Sequence, residues 1–260
     1  MKTTFAMGTF LTVQIKGKDS SPMEHLFIEE VRRLEKLLSL YRPSSEISGL
    51  NEAAGTKPLP VSNETYAVIR EALRYAQLSG GAFDPTLQPQ GYRHVTLDPE
   101  LHTVFISRPD LQLDLGGIGK GFALDRALTK ILQVGEVEWV SADFGGQLLF
   151  WHQNGSFDPE TILIDDPAAR SDQGDRFSFQ ITSNGSVSTS SHAQQPGHLW
   201  DPLQGKPATV LTGVTVAAPN ATQAEALSTA VFVMGQSEGK SWLTQFSGVQ
   251  AFIFPHESQN

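Results

Sequence analysis

The sequence predicts an α+β fold, with mixed, mostly antiparallel sheets and packed helices in two intimately packed lobes that form one domain over residues 1–260. Three observations lead there. Apolar residues recur at helical spacing in several well-punctuated segments, whereas short β-rich runs separated by Gly, Pro, Asn and Asp fill residues 139–191. No repeat and no linker-like stretch divides the chain. At 260 residues, with 39% apolar and 18% charged side chains, the chain can bury a sizeable core.

Thr9 to Lys16 reads as a first strand, closed by Gly17 and Asp19. Ser21-Pro22-Met23-Glu24 places a Ser cap, a first-turn Pro and a Glu three residues after the cap, ahead of Phe27, Val31, Leu34, Leu38 and Tyr41. A helix is expected over about Pro22 to Leu40. Ser62 caps a second helix carrying Val68, Ile69, Ala72, Leu73 and Ala76, and Gly80-Gly81 stops it. A polar loop follows, then an expected strand pair, Thr103 to Ser107 with Leu111 to Leu115. Gly116 to Gly121 then turns the chain into a helix carrying Phe122, Leu124, Ala127, Leu128, Ile131 and Leu132.

Beyond it, strands are expected at Trp139 to Ala142, Gln147 to Trp151, Thr161 to Ile164, Phe177 to Ile181, Ser186 to Thr189 and Leu211 to Ala217. Thr222 to Met234 reads as a helix closed by Gly235, Ser237 to Phe246 as another, and Val249 to Phe254 as a last strand.

Composition narrows the function. Nineteen basic against 28 acidic residues give a net charge of −9, without the basic footprint of a nucleic-acid binder. The absence of cysteine excludes disulfides, thiolate zinc sites, iron–sulfur clusters, a Cys nucleophile and a lipidated Cys. No segment approaches the roughly 18 apolar residues of a membrane span, and the first residues have no signal-like apolar region. The sequence as given is therefore expected to be cytoplasmic, with a periplasmic or membrane-anchored lipoprotein as the alternative had a leader been removed.

Four constellations carry chemistry. In Asp114-Leu115-Gly116-Gly117-Ile118-Gly119-Lys120-Gly121, glycines let backbone N–H groups face a ligand, and the following helix N-terminus favours an anion such as a phosphate. It is neither a Walker A loop nor G-x-G-x-x-G, and a tight turn packing helix on strand explains the glycines equally well. Glu225 and Thr229 stand at i and i+4 on one helix face, where hard oxygen ligands suit Mg²⁺; a Glu complementing the helix dipole is the competing reading. His198, beside the Trp200-Asp201-Pro202 turn, is either a base or a surface residue, and His192 is an equally plausible bystander. Asp84, in Ala82-Phe83-Asp84-Pro85-Thr86, either faces a site or opens a turn. No G-x-S-x-G elbow accompanies the serines of 186–191.

In order, these segments resemble the ApbE family of FAD:protein FMN transferases over nearly the whole chain. The matching pieces are Met7-Gly8-Thr9, Ser39 to Asn51, Gly81 to Thr86, Asp114 to Asp125, Gly145-Gly146, His198 to Pro202 with Gly205, and Ala224 to Thr229. The resemblance implies an ApbE-like fold in which Met7 and Tyr41 flank a flavin ring, and Ala82, Phe83, Asp84, Asp114, Lys120 and Leu199 contact FAD. It implies Mg²⁺ held by the Gly117 carbonyl with Glu225, Ser228 and Thr229, and His198 beside the reacting phosphate. The implied reaction moves the FMN moiety of FAD onto a Thr or Ser hydroxyl of an acceptor flavoprotein, releasing AMP.

This chain departs from the family pattern in three places: Glu225 stands where the family usually has Asp, Leu87 to His94 replaces an apolar stretch, and Thr189-Ser190-Ser191 replaces Thr-Ser-Gly. Two other readings therefore accompany the transferase: an FAD pyrophosphatase, in which water replaces the acceptor, and a flavin-binding protein without turnover.

Overall fold

A computed structural model describes residues 1–165, 176–191 and 199–255. Its frame is a seven-stranded antiparallel sheet. In spatial order the strands are β1 (Lys2–Ala6), β2 (Thr9–Gly17), β6 (Val137–Phe144), β7 (Gln147–His152), β10 (Gly185–Ser191), β13 (Leu211–Ala218) and β14 (Gln250–Pro255). Three helices pack together on one face of this sheet: α1 (Ser20–Leu38), α4 (Gly119–Val134) and α5 (Ala221–Met234). Leu11, Val13 and Ile15 of β2, Val140, Ala142 and Phe144 of β6, and Val214 and Val216 of β13 meet Phe27, Val31, Leu124, Ile131, Leu227 and Val231 there. Burying side chains of this size contributes about 1.5–3 kcal/mol each, so this layer is the main source of stability.

The other sheet face is partly covered by the hairpin of β8 (Ser156–Asp165) and β9 (Arg176–Ser183). Its Ile164 and Phe179 pack on Val187, Ala217 and Phe254. Beside the main sheet lie α2 (Glu46–Glu52), α3 (Asn63–Leu78), α6 (Gln236–Leu243) and a small antiparallel sheet of β3 (Leu59–Pro60), β5 (Thr103–Ile106) and β4 (Val95–Asp98). β11 (Trp200–Asp201) and β12 (Lys206–Pro207) form a short hairpin. The class is α+β with antiparallel sheets, as the sequence predicts. Among the described residues no helix is long and apolar enough to cross a membrane.

Local chemistry explains most boundaries. Ser62 caps α3 by accepting from the Thr65 N–H at 3.3 Å, and Gly80 and Gly81 follow the helix at φ 62° and 94°. Gly235, at φ 81°, ends α5.

Other boundaries correct the sequence reading. The Ser21 cap is not used: α1 starts at Ser20, two residues earlier, after Asp19 at φ 57°, and Glu24 is buried and accepts from the Ile15 N–H at 3.3 Å. That bond to β2 replaces the expected capping box. Leu111 to Leu115 is not a strand, and β5 pairs instead with β3 and β4. Leu111, Leu113 and Leu115 are buried at every second position. Their backbone, however, bonds elsewhere: Leu113 to both ends of the Asn51 amide, at 2.7 and 3.1 Å, and the Asp114 N–H to the Pro85 carbonyl at 2.7 Å. β1 and α2 are elements the pattern did not announce.

Candidate active site

The glycine-rich turn leads directly into α4. Gly116 N–H donates to Asp114 Oδ1 at 2.7 Å, and the Ile118 and Gly119 N–H groups donate to the Leu115 carbonyl at 3.1 and 2.7 Å. The expected cradle of backbone donors is therefore largely used up inside the turn. The Gly117 and Lys120 N–H groups keep no intramolecular partner among the described residues. Gly117 is crowded: a Cβ there would stand 3.1 Å from Phe83 Cε2, 3.1 Å from Thr229 Cγ2 and 3.2 Å from Thr229 Oγ1, so a side chain would need these neighbours to give way.

The N-termini of α4 and α5 meet at this point. A Cβ on Gly121 would stand 2.2 Å from the Ala221 carbonyl oxygen, so only glycine lets the two helices approach this closely. Across the junction, the buried Glu225 carboxylate takes the Gly121 N–H on Oε2 at 2.8 Å and the Lys120 ammonium on Oε1. The buried charge is thus paired and hydrogen-bonded at both oxygens, as burial demands. The Thr229 side chain, one turn along α5, packs against Gly117 with its methyl and hydroxyl about equally near. Ser228 faces the other way: fully buried, it bonds to the Ser190 and Ser188 hydroxyls at 2.9 and 3.3 Å and to the Glu225 carbonyl.

The junction has two further ties that the sequence reading did not single out. Asp125 of α4 accepts from the Ala221 and Thr222 N–H groups at 2.9 and 2.8 Å and from the Thr222 hydroxyl. Burial pushes its carboxyl above the ordinary value, opposed by these bonds. Gln147, at the start of β7, is buried and donates to the Ala221 carbonyl at 2.7 Å. A capping carboxylate supplied by a different helix leaves no sequence signal, because its partners lie 96 and 97 residues away.

Of the remaining expected residues, Phe83 reaches this junction, its ring lying 3.1 Å from where a Gly117 Cβ would stand. Ala82 and Phe83 are buried beyond the end of α3, and the Phe83 N–H donates to Ser79 Oγ at 3.0 Å. Asp84 turns into its own loop, accepting from Thr86 N–H and Oγ1 at 2.9 and 2.7 Å and from Tyr92 N–H at 3.2 Å. Burial raises its carboxyl above the ordinary value, and these bonds pull the other way. Leu199 is half-buried, its carbonyl accepting from Ala208 N–H at 2.9 Å beside the β11–β12 hairpin. Leu203, in that hairpin, stands 3.4 Å from where a Gly81 Cβ would lie, which sets the hairpin against the loop carrying Ala82 to Asp84.

Met7 occupies a two-residue hairpin turn with Gly8, both at positive φ (45° and 81°), the pattern of a type I′ turn. A methionine in this conformation is strained, a feature typical of functional positions. Its N–H donates to Glu35 Oε1 at 2.9 Å, and Arg42 reaches the other Glu35 oxygen at 3.8 Å, so one carboxylate serves both the Met7 turn and the segment carrying Tyr41. The Tyr41 side chain is 90% exposed. A Cβ on Gly145 would stand 2.6 Å from the Thr9 side chain, which places the Gly145-Gly146 turn against the Met7-Gly8 turn. His198 and His192 lie outside the described residues.

Among the described residues no three His, Cys, Asp or Glu side chains cluster, so neither a zinc-type nor a carboxylate-rich site is built at the helix junction. Glu225, on the Gly121 N–H, offers a single carboxylate and Thr229, beside Gly117, a hydroxyl; this sparse set of hard oxygens suits Mg²⁺ bound largely through substrate oxygens.

Residues 7–253 match the sequence pattern of the ApbE family. The FAD:protein FMN transferase of Treponema pallidum (strain Nichols) is 29% identical over 98% of this chain and 84% of its own length. That of Escherichia coli (strain K12) is 25% identical over 98% and 83%. Among solved structures, the ApbE protein of Thermotoga maritima MSB8 superposes with a TM-score of 0.80 at 26% identity, covering 97% of this chain and 93% of the other. The apo form of the flavinyl transferase ApbE of Pseudomonas stutzeri shares the fold, with a TM-score of 0.84 over 99% and 91% of the two chains. From its sequence pattern through to its fold, this chain belongs to the ApbE family.

Proposed function

We propose that this chain is an FAD:protein FMN transferase that uses Mg²⁺ and moves the FMN moiety of FAD to a Thr or Ser hydroxyl of an acceptor flavoprotein. The names of its relatives support the activity. The observation that carries the assignment of the site is the buried Glu225 carboxylate, held between Lys120 and Gly121 where two helix N-termini meet.

In this reading the Lys120 ammonium and the open Gly117 and Lys120 N–H groups receive the pyrophosphate of FAD, as helix N-termini favour anions. Phe83 and Ala82 wall the FAD site, with Asp84 shaping that loop from within, and Asp114 holds the glycine turn through Gly116. Met7 and Tyr41 flank the flavin, and Leu199 contacts FAD. The Glu225 carboxylate and Thr229 hydroxyl, with the Gly117 carbonyl, hold Mg²⁺, which when bound neutralises charge on the pyrophosphate. Ser228, engaged by Ser188 and Ser190, contributes by fixing α5 on the sheet.

The acceptor oxygen forms a bond to the phosphorus on the FMN side. The phosphorus–oxygen bond to the bridging oxygen breaks, and AMP leaves with that oxygen. The hydroxyl proton passes to a base, the role assigned to His198.

The test is incubation with FAD, Mg²⁺ and an acceptor domain carrying a target Thr, following AMP release and covalent flavin fluorescence on the acceptor, with EDTA and acceptor-free controls. Both products together, abolished by EDTA, are expected. AMP with free FMN and an unlabelled acceptor would replace the reading with a pyrophosphatase. Bound but intact FAD would replace it with a binding protein.

A further inference from the structure

We propose that Asp125 is a positioning residue for Glu225: it fixes the N-terminus of α5 against α4 and so sets where the Glu225 carboxylate stands. This rests on the metal and substrate site proposed above.

The first N–H groups of a helix have no intrahelical partner and must find one outside. In α5 the Gln223 N–H bonds to its own cap, Asn220 Oδ1, at 2.9 Å. The Ala221 and Thr222 N–H groups bond instead to the two oxygens of Asp125 on the neighbouring helix, at 2.9 and 2.8 Å, and the Thr222 hydroxyl joins the second oxygen. The cap is therefore also a clamp between helices. One turn before Asp125 on α4 stands Gly121, whose missing side chain admits the Ala221 carbonyl and whose N–H holds Glu225 Oε2. One turn after Ala221 on α5 stands Glu225 itself.

Asp125 and Glu225 thus lie at opposite ends of one closed circuit: Asp125 to Ala221, along α5 to Glu225, across to Gly121, and along α4 back to Asp125. Without the Asp125 link the N-terminus of α5 keeps Asn220 and the Gln147 bond to Ala221, so the helix persists. What loosens is its distance from α4. The Asp125 carboxylate bonds only to Ala221 and Thr222 among the described residues, so its effect passes through Glu225 rather than through direct contact with the pyrophosphate.

The experiment compares the full chain with Asp125→Ala and Asp125→Asn; the Asn variant keeps one acceptor oxygen. Two quantities are measured: the Mg²⁺ concentration that half-saturates the rise in Tm of the FAD-loaded protein, and the affinity for FAD in EDTA by flavin fluorescence. Groups that orient a metal ligand typically change metal affinity by about 10- to 100-fold, so Asp125→Ala should raise half-saturation by that factor, Asp125→Asn by less, and FAD affinity in EDTA should stay within about two-fold. A lower Tm with unchanged Mg²⁺ half-saturation would reduce Asp125 to a purely structural cap and overturn the proposal. Equal loss of FAD affinity in EDTA would overturn it too. If Asp125→Ala does not fold, Asp125→Asn decides by the same two readouts. A wild-type chain with neither an Mg²⁺-dependent Tm rise nor flavin transfer would sink the functional reading itself, an outcome distinct from variants that titrate like an active wild type.

Discussion

Gly121→Ala is the sharpest perturbation of the helix junction. A Cβ at this position would lie 2.2 Å from the Ala221 carbonyl oxygen, 2.5 Å from its carbon and 2.8 Å from the Thr222 nitrogen, all backbone atoms of α5. Ordinary contact begins at 3.4 Å, so α5 would have to retreat by about 1.2 Å at its first turn. No rotamer change relieves a clash with backbone, and overpacking of this kind costs about 1–3 kcal/mol. The retreat also stretches the 2.8 Å bond from the Gly121 N–H to Glu225, and hydrogen bonds to charged groups contribute about 1.5–3 kcal/mol. Alanine's higher helix propensity returns at most about 1 kcal/mol. The net expectation is a loss of about 2–4 kcal/mol, a fall in Tm of roughly 5–15 °C for a chain of this size. Urea unfolding of Gly121→Ala beside Gly119→Ala is the assay. The Gly119 control, whose Cβ would meet only Leu115 Cβ at 3.9 Å, should be neutral or slightly stabilising. Equal stability of the two variants would refute the close-approach argument.

Lys120→Met leaves the Glu225 carboxylate, 4% exposed, with the Gly121 N–H as its one remaining partner, while Lys120 itself is 28% exposed. A loss of about 2–3 kcal/mol in urea unfolding is expected, at the low end for a broken buried pair because Lys120 keeps some solvent; a change under about 0.5 kcal/mol would contradict it. Thr229→Ala should stay within about 1 kcal/mol of wild-type stability yet lose Mg²⁺-dependent AMP release. A general drop in Tm with release intact would remove Thr229 from the ligand set. Asp84 gives a pH prediction. Burial raises its carboxyl in the folded chain above the ordinary 3.8, against the pull of the Thr86 and Tyr92 bonds, so the folded state takes up the proton first. The resulting stability is present below 3.8 and is lost as pH rises through the folded value. Relative to Asp84→Asn, wild type should therefore gain stability as pH falls from 7 toward 4, measured as the difference in Tm; a difference that shrinks toward acid would reverse the sign of the shift.

Period and punctuation carried much of the fold. α3 with its Ser62 cap, α5 with its Gly235 stop, and the strands of the main sheet other than β1 declare themselves through local residues. The failures are equally specific. Leu111, Leu113 and Leu115 alternate like a strand because alternate residues are buried, but alternation reports burial and not which group takes the backbone hydrogen bonds; here Asn51 and Pro85 do. The Ser21 capping pattern is locally sound, yet Glu24 bonds to Ile15 across the α1–β2 contact, a partner no window of sequence contains. α2 is a seven-residue helix capped by Ser45, too short for a helical period to rise above its surroundings.

The candidate site divides along the same line. The sequence by itself determined the residue types that can do the chemistry: a glycine turn running into a helix with Lys120, and Glu225 and Thr229 one turn apart, recognisable as an ordered ApbE-like set. Only the tertiary structure decided what each does. It closes the Gly116 and Gly119 N–H groups on Asp114 and Leu115, turns Asp84 into its own loop and Ser228 toward the sheet, and joins Lys120 and Gly121 to Glu225 across 105 and 104 residues. It also reveals Asp125 and Gln147 as the ties that hold the junction. The physical reason is that helical and strand patterns arise from neighbours along the chain. A buried carboxylate, in contrast, takes its partners from whichever elements the core brings to within about 3 Å, and that placement is a property of packing.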